Sequence, residues 1–221
     1  MRVLSWNLFH GRSKPGAGRS LLNEFAAALA DWEWDAALLQ EVPPWWAPTL
    51  AWASRAEPYT VLTSRNLPLA PRRAVASRNP DLIKSNGGGA NTILVRGGGG
   101  ADHSRARLAW RPESRFAHGI RLPHDGWLVN LHASVRPAER IPGDVARARA
   151  AALDWAGGGR VVIGGDFNLR APRLPGFHHA AHAWVDHVFT RGWRASGGEV
   201  LDAGSLSDHS PLAVTLTREL V

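Results

Sequence analysis

The sequence predicts an α/β fold of two packed mixed sheets flanked by helices. Three observations carry this. The chain has 221 residues and is 44% hydrophobic, enough to bury a sizeable core in a single domain over residues 1–221. About ten short apolar runs of strand length are separated by turn residues. Three longer segments have helical spacing instead.

Taken in order, "RVLSWNLF" alternates apolar and polar residues like a half-buried strand. "SLLNEFAAALADW" places Leu21, Leu22, Phe25 and Leu29 on one helical face, with Ser20 as the expected N-cap. "DAALLQEV" is a short apolar strand that ends in a carboxylate. "APTLAWASRA" reads as a helix and "PYTVLTS" as a strand. Residues 64–88 are rich in Pro, Arg, Asn and Gly and read as a long surface loop. "ANTILVRG", "RARLAWR", "SRFAHGIRL" and "GWLVNLHAS" follow as strands. "PGDVARARAAALDWA" is a helix stopped by Gly157 to Gly159, and "RVVIGGDFN" is a strand. "AWVDHVFTRG", "RASGGEVLDA" and "SPLAVTLTR" complete the set. There is no internal repeat and no linker-like stretch.

Composition narrows the function. There is no cysteine, so disulfides and thiolate metal sites are excluded, and a metal must be held by oxygen or imidazole. The N-terminal "RVLSWNL" goes straight into a strand, and no run is long enough to cross a bilayer; the expected location is cytoplasmic. The formal net charge is +7 and the pI about 11.2, a balance that suits a polyanionic partner. The positive residues are almost all arginine, with lysine only at Lys14 and Lys84, and a GC-rich coding bias would give the same balance.

The strand ends carry the chemistry. Asn7 ends the first strand, Glu41 the "ALLQ" run, Asn130 and His132 "WLVNLH", and Asp166 and Asn168 "VVIGGDFN". Asp186 and His187 lie in "WVDHVF", and Asp208 and His209 lie just before the final strand. Singly, each has an ordinary structural reading: a cap at Asn7, a loop start at Glu41, a satisfied core histidine at His132, a buried partner for an arginine at Asp186. "GGDFN" and "SDHSPL" are more specific, because they join carboxylate to amide and carboxylate to imidazole where a chain has little structural need of them. If these ends converge, the site suits phosphate-ester hydrolysis. A hard divalent cation such as Mg²⁺ prefers carboxylate and water oxygen. A carboxylate-held histidine acts as base or cation, and Asn amides donate to phosphate oxygens without adding charge.

In order along the chain, "SWNLFHG", "LLQEV", "GGANTILVR", "VNLHAS", "GGDFNLR", "VDHVF" and "SDHSPLAV" resemble the endonuclease/exonuclease/phosphatase superfamily, the metal-dependent phosphoesterases with the fold of pancreatic deoxyribonuclease. That resemblance implies a four-layer α/β/β/α sandwich and single-step, in-line attack by water. It implies Glu41 as the principal metal ligand, with Asn7 beside it and Asp208 near, and Mg²⁺ or Mn²⁺ as the ion. Asp166 resembles the residue that orients or deprotonates the attacking water, Asn168 the amide that holds the phosphate, and His209, supported by Asp186, the histidine on the scissile phosphate. His132 resembles the second histidine of the deoxyribonuclease and sphingomyelinase branches. Asn91 stands where several branches contact phosphate. The tyrosine of the AP-endonuclease branch has no counterpart, since the one tyrosine, Tyr59, precedes a different strand.

For the substrate, DNA is the first expectation. The 64–84 segment supplies Arg65, Arg72, Arg73 and Arg78 for backbone phosphates. Trp45, Trp46 and Trp52 lie near Glu41 and either stack on bases or pack a helix against the sheet. A lipid or small-molecule phosphodiesterase or phosphatase, of the sphingomyelinase or inositol-phosphate kind, is the alternative. A non-catalytic nucleic-acid-binding module is the third reading, and the intact ligand set speaks against it. No protein partner is implied.

Overall fold

A computed structural model describes residues 1–63, 68–100, 102–111, 113–123 and 126–219. The first half contains β1 (Arg2–Asn7), α1 (Leu22–Asp31), β2 (Ala36–Val42), α2 (Ala47–Ser54), β3 (Ala56–Leu62), α3 (Leu69–Arg78) and β4 (Ala90–Arg96). Then come β5 (Asp102–Ala109), β6 (Arg115–Leu122), β7 (Gly126–His132), α4 (Ile141–Ala156) and β8 (Val161–Asp166). The chain finishes with β9 (His178–Ala183), β10 (Asp186–Arg191), β11 (Trp193–Val200) and β12 (Leu212–Arg218).

The strands form two six-stranded mixed sheets, ordered β11–β12–β1–β2–β4–β3 and β5–β6–β7–β8–β10–β9. Within each, one parallel pair lies at the centre: β1 with β2, and β7 with β8. Period-two alternation divides the apolar residues among three cores. In β1, Leu4 and Trp6 face outward against Phe25, Leu29, Trp46 and Leu50 of the α1–α2 layer, while Val3 faces the other sheet. In β8, Val161 and Ile163 face Val145, Ala148 and Ala152 of α4, while Val162 meets Leu38, Ile93 and Val214 between the sheets. The result is the four-layer α/β/β/α sandwich that the sequence predicts.

Gly164 and Gly165 have separate reasons to be glycine. A Cβ at Gly164 would lie 2.8 Å from Leu38 Cδ1 of the facing sheet. At Gly165, with φ 141°, it would lie 1.9 Å from the Leu131 carbonyl oxygen. The pair lets the centre of β8 approach both neighbours just before Asp166.

Local expectations are corrected in three places. Residues 64–88 are not all loop: α3 occupies Leu69–Arg78 and short 3₁₀ turns occupy Pro80–Leu82 and Lys84–Gly87. Only Ala76 of α3 is buried, so it shows no amphipathic stripe to read. Arg65 lies outside the described residues. Ser20 does not cap α1; the cap position is Leu21, with no side-chain bond. The strand expected over "AWVDHVFTRG" begins only at Asp186, after a tight turn at Trp184–Val185 from β9, whose "HHAAHA" has too few apolar residues to signal a strand.

The sheets are also joined by buried amides. β2 and β4 pair Leu39 with Thr92 and then Val42 with Ala90, so Gln40 and Glu41 oppose Asn91 alone, a β-bulge. Asn130 of the facing sheet donates to the carbonyls of Leu39 (2.8 Å) and Thr92 (3.1 Å), and accepts from Gln40 Nε2 (2.8 Å). Asn130, read from the sequence as ligand-type, is thus a bridge between sheets.

Two buried histidines make the fold acid-sensitive. His118 shares one proton with His103, Nε2 to Nε2 at 2.8 Å; burial and then His103 push it down to about 3. Burial pushes His187 down to about 4. Both folded values lie below the ordinary 6.5, so the unfolded chain binds more protons across that window. Their stabilisation is full above about pH 6.5 and is lost as pH falls toward about 4. A loss of about 2 kcal/mol, or roughly 4–8 °C in Tm, is expected between about pH 7 and about pH 4.5, and His118→Gln should flatten the slope. Circular-dichroism melts check it; identical slopes in the two proteins would remove His118 from the account.

Candidate active site

The C-terminal ends of β1, β2, β7 and β8 meet at one end of the sandwich, and the loop before β12 closes over them. The bulge in β2 turns Glu41 into the left-handed region at φ 51° and aims its carboxylate out of the strand. His10, in a 3₁₀ turn after β1, meets it at 3.1 Å through Nε2, while Nδ1 donates to the Gly88 carbonyl at 3.0 Å. Both nitrogens face acceptors, so His10 carries both protons. Burial opposes that charge, but Glu41 outweighs it and raises His10. Burial likewise opposes the charge on Glu41, yet His10, His132 and Arg115 hold its carboxyl well below the usual range.

Asp166 is the hub. Its Oδ2 accepts from Asn7 Nδ2 at 3.1 Å and lies 3.5 Å from His132 Nε2 and 3.9 Å from His209 Nε2. Its Oδ1 accepts the Asn168 backbone N–H at 2.9 Å. Asn7 is itself fixed, because its Oδ1 takes the Phe9 N–H at 2.9 Å. His209 Nδ1 bonds Asp186 Oδ2 at 2.7 Å, and the loop carrying His209 is pinned by Ser207, which donates to the Asn7 carbonyl at 2.6 Å and accepts the His209 N–H at 3.1 Å. Burial and then Asp186 raise Asp166 to about 7. For His209, burial opposes the charge, but the bond to Asp186 and the surrounding carboxylates raise it to about 9. The site therefore pairs a carboxylate that titrates near neutrality with an imidazolium.

His132 differs. Arg115 Nη1 lies 2.7 Å from its Nδ1 and 2.9 Å from its Nε2. A guanidinium only donates, so a ring nitrogen of His132 accepts from Arg115, and Nε2 also faces Asp166 at 3.5 Å and Glu41 at 3.8 Å. Burial and then Arg115 hold His132 well below 6.5, neutral. Arg115 is itself buried and paired with Glu113. A cavity of about 410 Å³ opens here, lined by His10, Glu41, Thr63, Ser85, Glu113, Arg115, His132, Ser134, Val135 and Arg136.

Of the eight non-glycine residues with positive φ among those described, six belong to this region: Phe9, His10, Glu41, Asn168, Trp184 and Ser207. Each such residue costs of order 1 kcal/mol or more, and such strain clusters at functional sites. Trp184, 60% exposed, stands beside His209 with ring centroids 5.9 Å apart.

The structure thus brings together Asn7, Glu41, His132, Asp166, Asn168, Asp186, Asp208 and His209. Asp208 lies 3.9 Å from His209 Nε2 and is partly exposed. Asn168 is close, but its amide donates to the Ala133 carbonyl at 3.1 Å. Asn91 is corrected: it is fully buried between the sheets and donates to the Phe116 carbonyl at 3.2 Å. On α3, Arg72 is half-buried and donates to the Asn86 carbonyl, Arg73 is exposed, and neither lines the cavity; Arg73 lies over Trp45 at 5.9 Å. Trp46 is buried and Trp45 packs with it, while Trp52 is exposed. Sequence reasoning missed His10 and Arg115. An imidazole three residues past a strand-end amide was the available signal for His10; Arg115, within "SRFAHGIRL", carried no signal of its own.

Two six-stranded sheets with strand-end carboxylates and imidazoles gathered at one end define the class of phosphoester hydrolases with the deoxyribonuclease-like sandwich. The chain belongs to the Endonuclease/Exonuclease/phosphatase family, whose model matches residues 4–209. No curated protein matches it by sequence. Among solved structures, it is similar to a functionally unknown conserved protein from Enterococcus faecalis (TM-score 0.74, 15% identity, 99% of this chain and 100% of that one). It is also similar to a humanized D. rerio TDP2 (0.68, 16%, 98% of both chains). A third is a mannosyl-6-phosphatase from Bacteroides thetaiotaomicron (0.65, 14%, 98% of this chain and 99% of that one).

Proposed function

We propose that this protein is a divalent-metal-dependent phosphodiester hydrolase that cleaves DNA by in-line attack of water. The observation that carries the reading is Asp166 set between two histidines of opposite character, His132 neutral and His209 protonated.

The residues fit a cation. The ionised Glu41 carboxylate and Asp166 approach the same His132 Nε2, at 3.8 and 3.5 Å, and Asn7 bonds Asp166, so oxygen donors converge on one point. Asn7, Glu41 and Asp208 would hold the ion, Mg²⁺ or Mn²⁺ given oxygen donors. When bound, it supplies charge neutralisation at the phosphate. The chain's own groups do the rest. Asp166, oriented by Asn7, takes the proton of the attacking water; its raised value suits a base that works near neutrality. His209, held by Asp186, presents a cation to the non-bridging oxygens. His132, held in place by Arg115, is the neutral imidazole on the side of the leaving oxygen.

Support for DNA comes from the net charge of +7, from the exposed arginines of α3 and from Trp184, an exposed ring against His209 on which a base can stack. A second reading has its own observation. The cavity beside Glu41 holds Arg115 and Arg136 and is sized for a small phosphate ester.

One assay separates them. Wild type, His209→Ala and Trp184→Ala are incubated with Mg²⁺ or Mn²⁺ and either supercoiled plasmid or bis-p-nitrophenyl phosphate. His209→Ala should lose about 10²–10⁴-fold on both substrates. Trp184→Ala should raise the KM for DNA by about 10-fold and leave kcat for dye release within about twofold. Dye release with intact plasmid would move the substrate to small esters; full activity in His209→Ala would overturn the chemistry.

A further inference from the structure

β9 and β10 carry a second histidine group, separate from the one just described. His182 pairs with His187, and after a bulge His179 pairs with Phe189. Strict alternation would put His179 and His182 on opposite faces, being three residues apart. The bulge restores both to the outer face, beside His187 and Phe189. Three imidazoles then sit together, with ring centroids 5.1 Å (His179–His187), 5.4 Å (His179–His182) and 5.8 Å (His182–His187) apart. Asp186, next to His187 along the strand, points to the opposite face.

The proton positions are decided by the partners. His187 Nε2 lies 2.8 Å from the Leu169 carbonyl, so it carries the proton, and Nδ1 is a lone pair. His179 Nε2 approaches that lone pair at 3.0 Å and therefore donates. A histidine whose far nitrogen donates to a backbone carbonyl while the near one offers a lone pair is arranged as metal-bound histidines are. Two imidazole nitrogens on a tetrahedral Zn²⁺ stand about 3.4 Å apart, with ring centroids roughly 5 Å apart. An ion in place of the proton between His179 and His187 needs an opening of only a few tenths of an ångström.

We propose that His179, His182 and His187 form a binding site for an imidazole-preferring divalent transition metal, Zn²⁺ by class, with water as fourth ligand. His182 is exposed and joins by turning about its side-chain bonds. Binding moves the single ring proton of His179 from Nε2 to Nδ1 by exchange with solvent, so that a neutral imidazole offers its Nε2 lone pair to the ion, and it ties the edge strand β9 to β10 and, through Leu169, to the turn that follows Asp166.

The test titrates Zn²⁺ calorimetrically, in excess Mg²⁺, into wild type, His182→Ala and the double variant His179→Ala/His182→Ala. Both replaced side chains are exposed, so folding is retained, and melting curves verify it. Wild type is expected to bind one Zn²⁺ that Mg²⁺ does not displace. His182→Ala should weaken it at least about 10-fold, and the double variant should lose it, with Mg²⁺-supported dye release unchanged. Glu41→Gln should keep this ion, which separates it from zinc bound at the other carboxylates. Equal Zn²⁺ affinity and stoichiometry in wild type and the double variant overturn the proposal, as does loss of all zinc in Glu41→Gln.

Discussion

Asp166→Asn is expected to lose catalysis and to melt at a higher temperature than the wild type in metal-free buffer. Activity should drop about 10²–10⁴-fold, because the amide cannot take a proton from water. The stability gain follows from the same surroundings. Asp166 is buried and faces Asp186, and these raise it from the ordinary 3.8 to about 7. Its folded value exceeds its unfolded one, so below about pH 4 both states are protonated and the residue costs nothing extra. The cost grows as pH rises and levels off above about pH 7. Asparagine removes it; its one oxygen keeps the bond from the Asn168 N–H, while its NH2 faces the Asn7 amide, which must turn over to accept. A gain of about 1–3 kcal/mol, or roughly 2–10 °C, is expected near pH 8 with chelator, shrinking toward zero at about pH 4. Scanning calorimetry at the two pH values checks it. A variant that is less stable at pH 8 would show that Asp166 is not a strained charge; one that is fully active would remove it as the base.

Glu41→Gln should have the next largest effect, and on a different quantity. Glu41 stands alone at the bulge, kept ionised by His10 and His132. Mg²⁺ sites commonly use only one or two protein carboxylates, so losing this one should raise the metal concentration for half-maximal dye release by at least about 100-fold. Chelation of the wild type should abolish turnover, and Mg²⁺ or Mn²⁺ should restore it. Unchanged metal dependence in the variant would shift the ion toward Asp166, Asp186 and His209.

What could be read from the sequence divides along physical lines. The strands with an apolar face announced themselves, since alternation in β1 or a continuous run in β8 reflects which core each side chain enters. Asp166 and His209 were legible because carboxylates and imidazoles beside small or hydroxyl residues at strand ends have little packing purpose. β9 was not, because it owes its conformation to pairing with β10 and not to its own residues. α3 was not, because a helix with one buried side chain carries no periodic signal. Asn91 and Asn130 misled for a single reason: an amide at the end of a strand looks the same whether it faces phosphate or caps the broken ladder of a neighbouring sheet. Arg115 was hidden because its contact with His132 exists only once β6 and β7 are paired.

The strand order has a consequence for the life of the chain. β12 is made after every other strand of the two sheets, yet it lies inside the first, between β11 and β1. The loop leading into it carries Asp208 and His209 and is latched to Asn7 through Ser207. A nascent polypeptide still short of β12 has Glu41 and Asp166 but neither its imidazolium nor a closed first sheet. Any phosphoester chemistry that depends on His209 therefore waits until this loop and β12 have been made and β12 has inserted between β11 and β1.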